Sequence, residues 1–203
     1  VQLYFCGVDT AEYQEKIEIM EPFLGVKNVD VELLPPEMTY YLSFLHVLSS
    51  CTIGRINVTA VEAKTQALFQ LDDLLLALLD DRTITIAKKY MCQFYYDVII
   101  DVEMVVPGLE RNVNVWKYIM SFATLFEETV NEITILNKHG LESELMDRTK
   151  ISYASICALI VSGFFVRYYD GPNFRAYLES QDGAKMSFLK VDQLILSLYK
   201  PLA

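Results

Sequence analysis

The stretch NVWKYIMSFATLFEETVNE, Asn114–Glu132, decides the fold. Val115, Ile119, Phe122, Phe126 and Val130, continued by Ile133, step by three or four positions. That step lays them in one stripe along a helix, whereas a strand would need strict alternation. Glu127, Glu128 and Glu132 fall on the other side. Asn112 or Asn114 can cap the start, because a side-chain oxygen there satisfies an orphan backbone N–H.

Outward from this helix the same period recurs. Pro35-Pro36 precede a helix expected over Met38–Cys51, at positions where a missing N–H costs nothing, and Gly54 is its natural stop. Helices are expected at Val58–Phe69, Leu71–Asp80 and Ile84–Ile100. In the last, the Thr83-Ile84-Thr85-Ile86 alternation is overridden by the helix formers that follow. Ile151–Val166 carries no charge, but it is shorter than the ~20 apolar residues of a bilayer span and contains serines and a glycine. It reads as a central buried helix, ended at Asp170-Gly171-Pro172 by a left-handed glycine cap. A final helix is expected over Lys185–Leu198. Gly25–Pro36, Pro107–Asn112, His139–Glu144 and Gly171–Gly183 read as short linkers, with no domain boundary in residues 1–203. The expected class is all-α, an α-solenoid of armadillo/HEAT-like antiparallel helices.

Composition narrows the function. Apolar residues make up 53% of the 203, a high share that suggests faces packed on neighbours. The net charge of −10 opposes binding to nucleic acid or to an anionic membrane, since both need clustered cations. Cys6, Cys51, Cys92 and Cys157 are scattered, so reduced, buried cytosolic thiols are expected. The chain begins at Val1 without a targeting pattern and reads as an internal segment of a larger chain.

Chemistry-bearing motifs are scarce. No phosphate loop, nucleophile elbow or zinc-protease motif occurs, and no cofactor or enzymatic activity is expected. His46 lies within an apolar helix and reads as a core or rim histidine; His139 precedes Gly140 at a helix end, where a cation suits the last carbonyls. Acidic groups recur at Asp72-Asp73, Asp80-Asp81, and Asp97 with Asp101 and Glu103. Asp97, Asp101 and Glu103 are the calcium candidates, although a calcium site needs more oxygens than these supply. Solvated helix faces and helix N-terminal charges are the plainer reading of all these acids. Tyr168 and Tyr169 beside Asp170 mark a docking surface or a helix end.

Several stretches resemble, in order, the second ryanodine/inositol-trisphosphate-receptor homology region of inositol trisphosphate receptors. The first is Tyr40–Val58, YYLSFLHVLSSCTIGRINV, with Leu48, Cys51, Thr52, Gly54, Arg55, Asn57 and Val58 matching the family's Leu-x-x-Cys-Thr-x-Gly-basic and Asn-Val. Leu71-Asp72-Asp73-Leu74 is similar to its Leu-Asp-Asp. Tyr95-Tyr96-Asp97 leads to Val102-Glu103-Met104, similar to its Val-Glu-Met. Asn114-Val115-Trp116-Lys117 resembles, one residue shorter, an Asn-x-x-Trp-Lys helix start, and Phe164-Phe165 a Phe-Phe helix ending. Val1–Met20 looks like the segment that precedes these. The resemblance implies a middle segment of the cytosolic solenoid of a homotetrameric calcium-release channel, on the cytosolic face of the endoplasmic reticulum or another calcium store. Its partners would be other domains and subunits of that channel, and it would relay ligand-driven movement towards the pore. It would hold neither the ligand site nor the pore, and it would insert no segment of its own into the membrane. The rival reading is an armadillo/HEAT-like adaptor that binds peptides or partner helices in a groove.

Overall fold

The computed structural model describes residues 34–53, 64–103, 105–138, 148–180 and 182–202. Among them every regular element is helical and no strand occurs. The all-α expectation therefore holds. The chain divides into two compact units, Val1–Val105 and Val106–Ala203, at a point beside the expected Pro107–Asn112 linker.

In the first unit, α1 spans Pro36–Thr52, with Pro36 in the first turn and Glu37 beside the N-terminal dipole. Residues 64–68 are helical and Phe69 forms a bend after them; residues 58–63 of the expected Val58–Phe69 helix lie outside the described residues. Leu71–Leu79 forms α2, with Asp72 and Asp73 in its first turn, where their charge is stabilising. Thr85–Tyr95 forms α3 and continues directly into a π-helical turn, Tyr96–Ile100. The expected Ile84–Ile100 helix is thus present, but its last turn is widened. Leu45 of α1, Leu75 of α2 and Ala87 and Cys92 of α3 are fully buried, as are Val98 and Ile100 of the π turn. Helix α1 packs on α3 and on the π turn, and α2 packs on α3.

In the second unit, a 3-10 turn at Leu109–Arg111 leads into α4, Val113–Lys138. Asn112 supplies its cap: Oδ1 accepts from the N–H groups of Asn114 at 2.7 Å and Val115 at 3.2 Å. Val115, Ile119, Phe122 and Phe126 are buried as the stripe requires, and Val130 and Ile133 are half-buried as it runs out. Arg148–Arg167 forms α5, which packs on α4. By length and composition α5 is the one described helix able to cross a membrane. It buries Tyr153, Ala154, Ile156, Cys157, Ile160 and Phe164 but exposes Leu159 and Val166, so it is one-faced and not the central buried helix expected.

The tail of the chain corrects the sequence reading most. Asp170-Gly171-Pro172 starts a helix as well as following one. Tyr168 and Tyr169 both donate to the Phe164 carbonyl as α5 ends, and Asp170 then caps α6, Gly171–Glu179. Among the described residues the positive-φ glycine is Gly108, at 74°, and not Gly171. The expected Gly171–Gly183 linker is therefore mostly helix. The expected Lys185–Leu198 helix is split into a 3-10 turn, Asp182–Met186, and α7, Val191–Tyr199, which packs on α4. Gly183 is obligatory by contact: a Cβ there would run into the Tyr177 carbonyl oxygen and come within 2.6 Å of Leu178 Cα.

Candidate functional site

Two places bring sequence motifs together. The first is the end of α3. In the π turn the Asp101 N–H donates to the Tyr96 carbonyl, five residues back, at 2.7 Å. The last carbonyls of a helix have no partner within it. Here two arrive from elsewhere in the first unit. Gln66 Nε2 donates to the Val98 carbonyl at 2.9 Å. Thr52 Oγ1 lies 2.7 Å from the Ser49 carbonyl and 3.2 Å from the Asp97 carbonyl, sharing one proton between them. The side chains of Thr52 and Gln66 thus tie α1 and the 64–68 turn to the end of α3.

Asp97 sits inside this latch and is only 8% exposed. Both its carboxylate oxygens lie 2.9 Å from Gln93 Nε2, one turn earlier. Burial raises its pKa above the ordinary 3.8, the Gln93 hydrogen bond opposes that rise, and the Asp101 charge adds to it. Asp97 is therefore a buried acid and not the solvated face expected. Asp101 and Glu103 are exposed. Among the described residues no three His, Cys, Asp or Glu side chains gather as a metal set. Asp80, by contrast, is held below its ordinary value by the Arg82 guanidinium, 2.6 Å from its Oδ2.

The other motif residues are packing residues or lie at surfaces. Cys92 and Cys157 are buried and form no disulfide, whereas Cys51 is exposed, against the expectation of buried thiols throughout. His46 is a rim histidine, edge-on to Tyr90 at 6.0 Å. Lys150 joins α5 to α4 through Glu132 at 3.0 Å and Glu128 at 3.6 Å. Cys6, Gly54, Arg55, Asn57, Val58, Met104 and His139 lie outside the described residues, as does Val1–Met20.

The second place is an aromatic nest in the second unit. Trp116 is fully buried, and its Nε1–H donates to the Glu110 carbonyl at 2.7 Å. Around its indole stand Phe164 at 5.1 Å, Phe165 at 6.1 Å, Tyr169 at 6.0 Å and Phe174 at 5.0 Å between ring centroids. The Phe164, Phe165 and Tyr169 rings meet it edge-to-face, pairs that add about 0.5–1.5 kcal/mol each beyond their buried area, and Phe174 is tilted against it. Burial and the nearby Asp192 charge push the Tyr169 phenol up, with Arg175 acting against them.

Beside the nest opens a cleft of about 470 Å³. The 3-10 turn presents Glu110 and Arg111 to it. The α5–α6 corner presents Tyr168 and Asp170, and α6 presents Asn173, Phe174, Tyr177 and Ser180. Tyr168 is buried, with its hydroxyl oxygen 3.5 Å from the Val106 nitrogen. It serves as a wall, and Tyr169 as part of the nest, so neither is a free docking tyrosine. Sequence reasoning missed this cleft because it missed α6. The signal was available: Asp170 stands three residues before Asn173, Pro172 falls in the first turn, and Phe174 and Tyr177 share a face. Comparison of the chain with protein-family models, with curated proteins and with solved structures finds no match.

Proposed function

We propose that this chain is a helical packing segment of a larger cytosolic assembly, in its sharpest form a solenoid segment of an inositol trisphosphate receptor-type calcium-release channel. The carrying observation is where the motif residues go. Thr52 of the Cys-Thr motif meets Asp97 of the Tyr-Tyr-Asp motif, and Trp116 meets Phe164 and Phe165. Motif residues that meet one another across helix contacts support a role in packing and transmission. In such a role, stacked helix pairs carry a displacement at one end of the array to the other, and the segment itself needs no cofactor.

The second reading is a soluble armadillo/HEAT-like adaptor. It is favoured by the outer face of α1, where Tyr40, Phe44 and Val47 are 74%, 39% and 56% exposed at helical spacing.

An antibody raised against the chain separates the two. The channel reading expects a polypeptide many times heavier than 23.3 kDa, confined to internal membranes, whose depletion abolishes inositol trisphosphate-evoked calcium release. A soluble species, or release that persists after depletion, refutes it and leaves the adaptor.

A further inference from the structure

The cleft of the second unit already holds a cation. The guanidinium carbon of Arg111 lies 5.2 Å from the centroid of the Tyr177 ring, and its Nε lies 3.2 Å from Glu110 Oε1. A guanidinium over an aromatic face, with a carboxylate at its edge, is the arrangement by which proteins take up cationic side chains. Yet Arg111 does not fill the space: its side chain is 62% exposed. Glu110 and Asp170 give the lining two carboxylates against this one guanidinium, and Phe174 adds a further ring. An anionic ligand would meet both carboxylates. The chain's net charge of −10 adds long-range attraction for cations.

We infer that this cleft receives an arginine side chain from a partner protein, and that Arg111 is the internal occupant it displaces from Tyr177. The inference stands on the second unit alone and is independent of the channel reading. The incoming guanidinium takes the Tyr177 face and the Glu110 carboxylate, and Asp170, which also lines the cleft, adds attraction. Occupancy is self-limited, because every ligand competes with Arg111.

Trp116, the only tryptophan, reports on the cleft, since its ring lies 5.0 Å from Phe174 and its N–H is bonded to the Glu110 carbonyl. The 203-residue chain is titrated with N-acetyl-arginine amide, with its neutral citrulline counterpart and with inorganic phosphate, following tryptophan emission. The expected result is a saturable change with the arginine probe alone. Arg111→Ala removes the competitor and should tighten that binding several-fold. Asp170→Asn, which retains a good helix cap, should weaken it several-fold. Circular dichroism checks that both variants keep their helices. Citrulline binding as tightly as arginine, a response to phosphate instead, or Arg111→Ala binding no more tightly than the parent each overturns the inference.

Discussion

Thr52 and Asp97 carry the sharpest residue-scale consequences. Thr52→Val keeps the shape of the side chain but removes the hydroxyl shared by the Ser49 and Asp97 carbonyls, so denaturant unfolding should show a loss of about 1 kcal/mol. Asp97 acts through pH. Burial raises its folded-state pKa, so the folded chain holds that proton more tightly than the unfolded chain does. Its contribution to stability is complete below the ordinary value of 3.8 and is lost as pH rises through the raised folded value. Asp97→Asn keeps an acceptor for Gln93 and should raise the melting temperature at neutral pH while removing this decline; an unchanged pH profile would show that Asp97 ionises freely in the fold. Asp80 has the opposite sign. Its Arg82 partner lowers its pKa, so the stability it gives is present above 3.8 and is lost as pH falls through the lower folded value.

Elements whose apolar residues follow one clear period were legible in the sequence, and those defined by their ends were not. The α4 stripe was readable because Val115, Ile119, Phe122 and Phe126 all face the core. Helix α6 was hidden because it is nine residues long, buries only Phe174, and opens with Gly171-Pro172, a pair that also ends helices. Its start depends on Asp170, whose Oδ1 and Oδ2 accept from the backbone and side-chain nitrogens of Asn173 at 3.4 and 2.8 Å. Asp170→Ala should therefore cost about 1 kcal/mol, seen as a lower melting temperature. Gly183→Ala should cost more, about 1–3 kcal/mol, because the collision is with backbone that can give little. The Asp97 latch was half legible. Asp97 stood out in the sequence as one of the acids Asp97, Asp101 and Glu103, but its burial and the Thr52 and Gln66 bonds depend on contacts between helices, which periodicity does not encode.

On the scale of the whole molecule, each unit has its own buried centre. The rings packed on Trp116, namely Phe164, Phe165, Tyr169 and Phe174, all belong to Val106–Ala203. Residues 106–203 produced alone should therefore keep the blue-shifted emission of a buried indole; water-exposed emission would mean that this unit depends on the rest of the chain. Trp116→Ala in the whole chain should destabilise the second unit by about 3–5 kcal/mol. The π turn bears on ancestry as well as on stability. Its hydrogen bond spans five residues where an α-turn spans four, so Tyr96–Ile100 accommodates one residue more than an unbroken helix would. A cousin of this protein whose third helix runs straight through should lack a single codon here. Aligning the two with the gap anywhere else would assign the partners of Thr52 and Gln66 to the wrong ancestral positions.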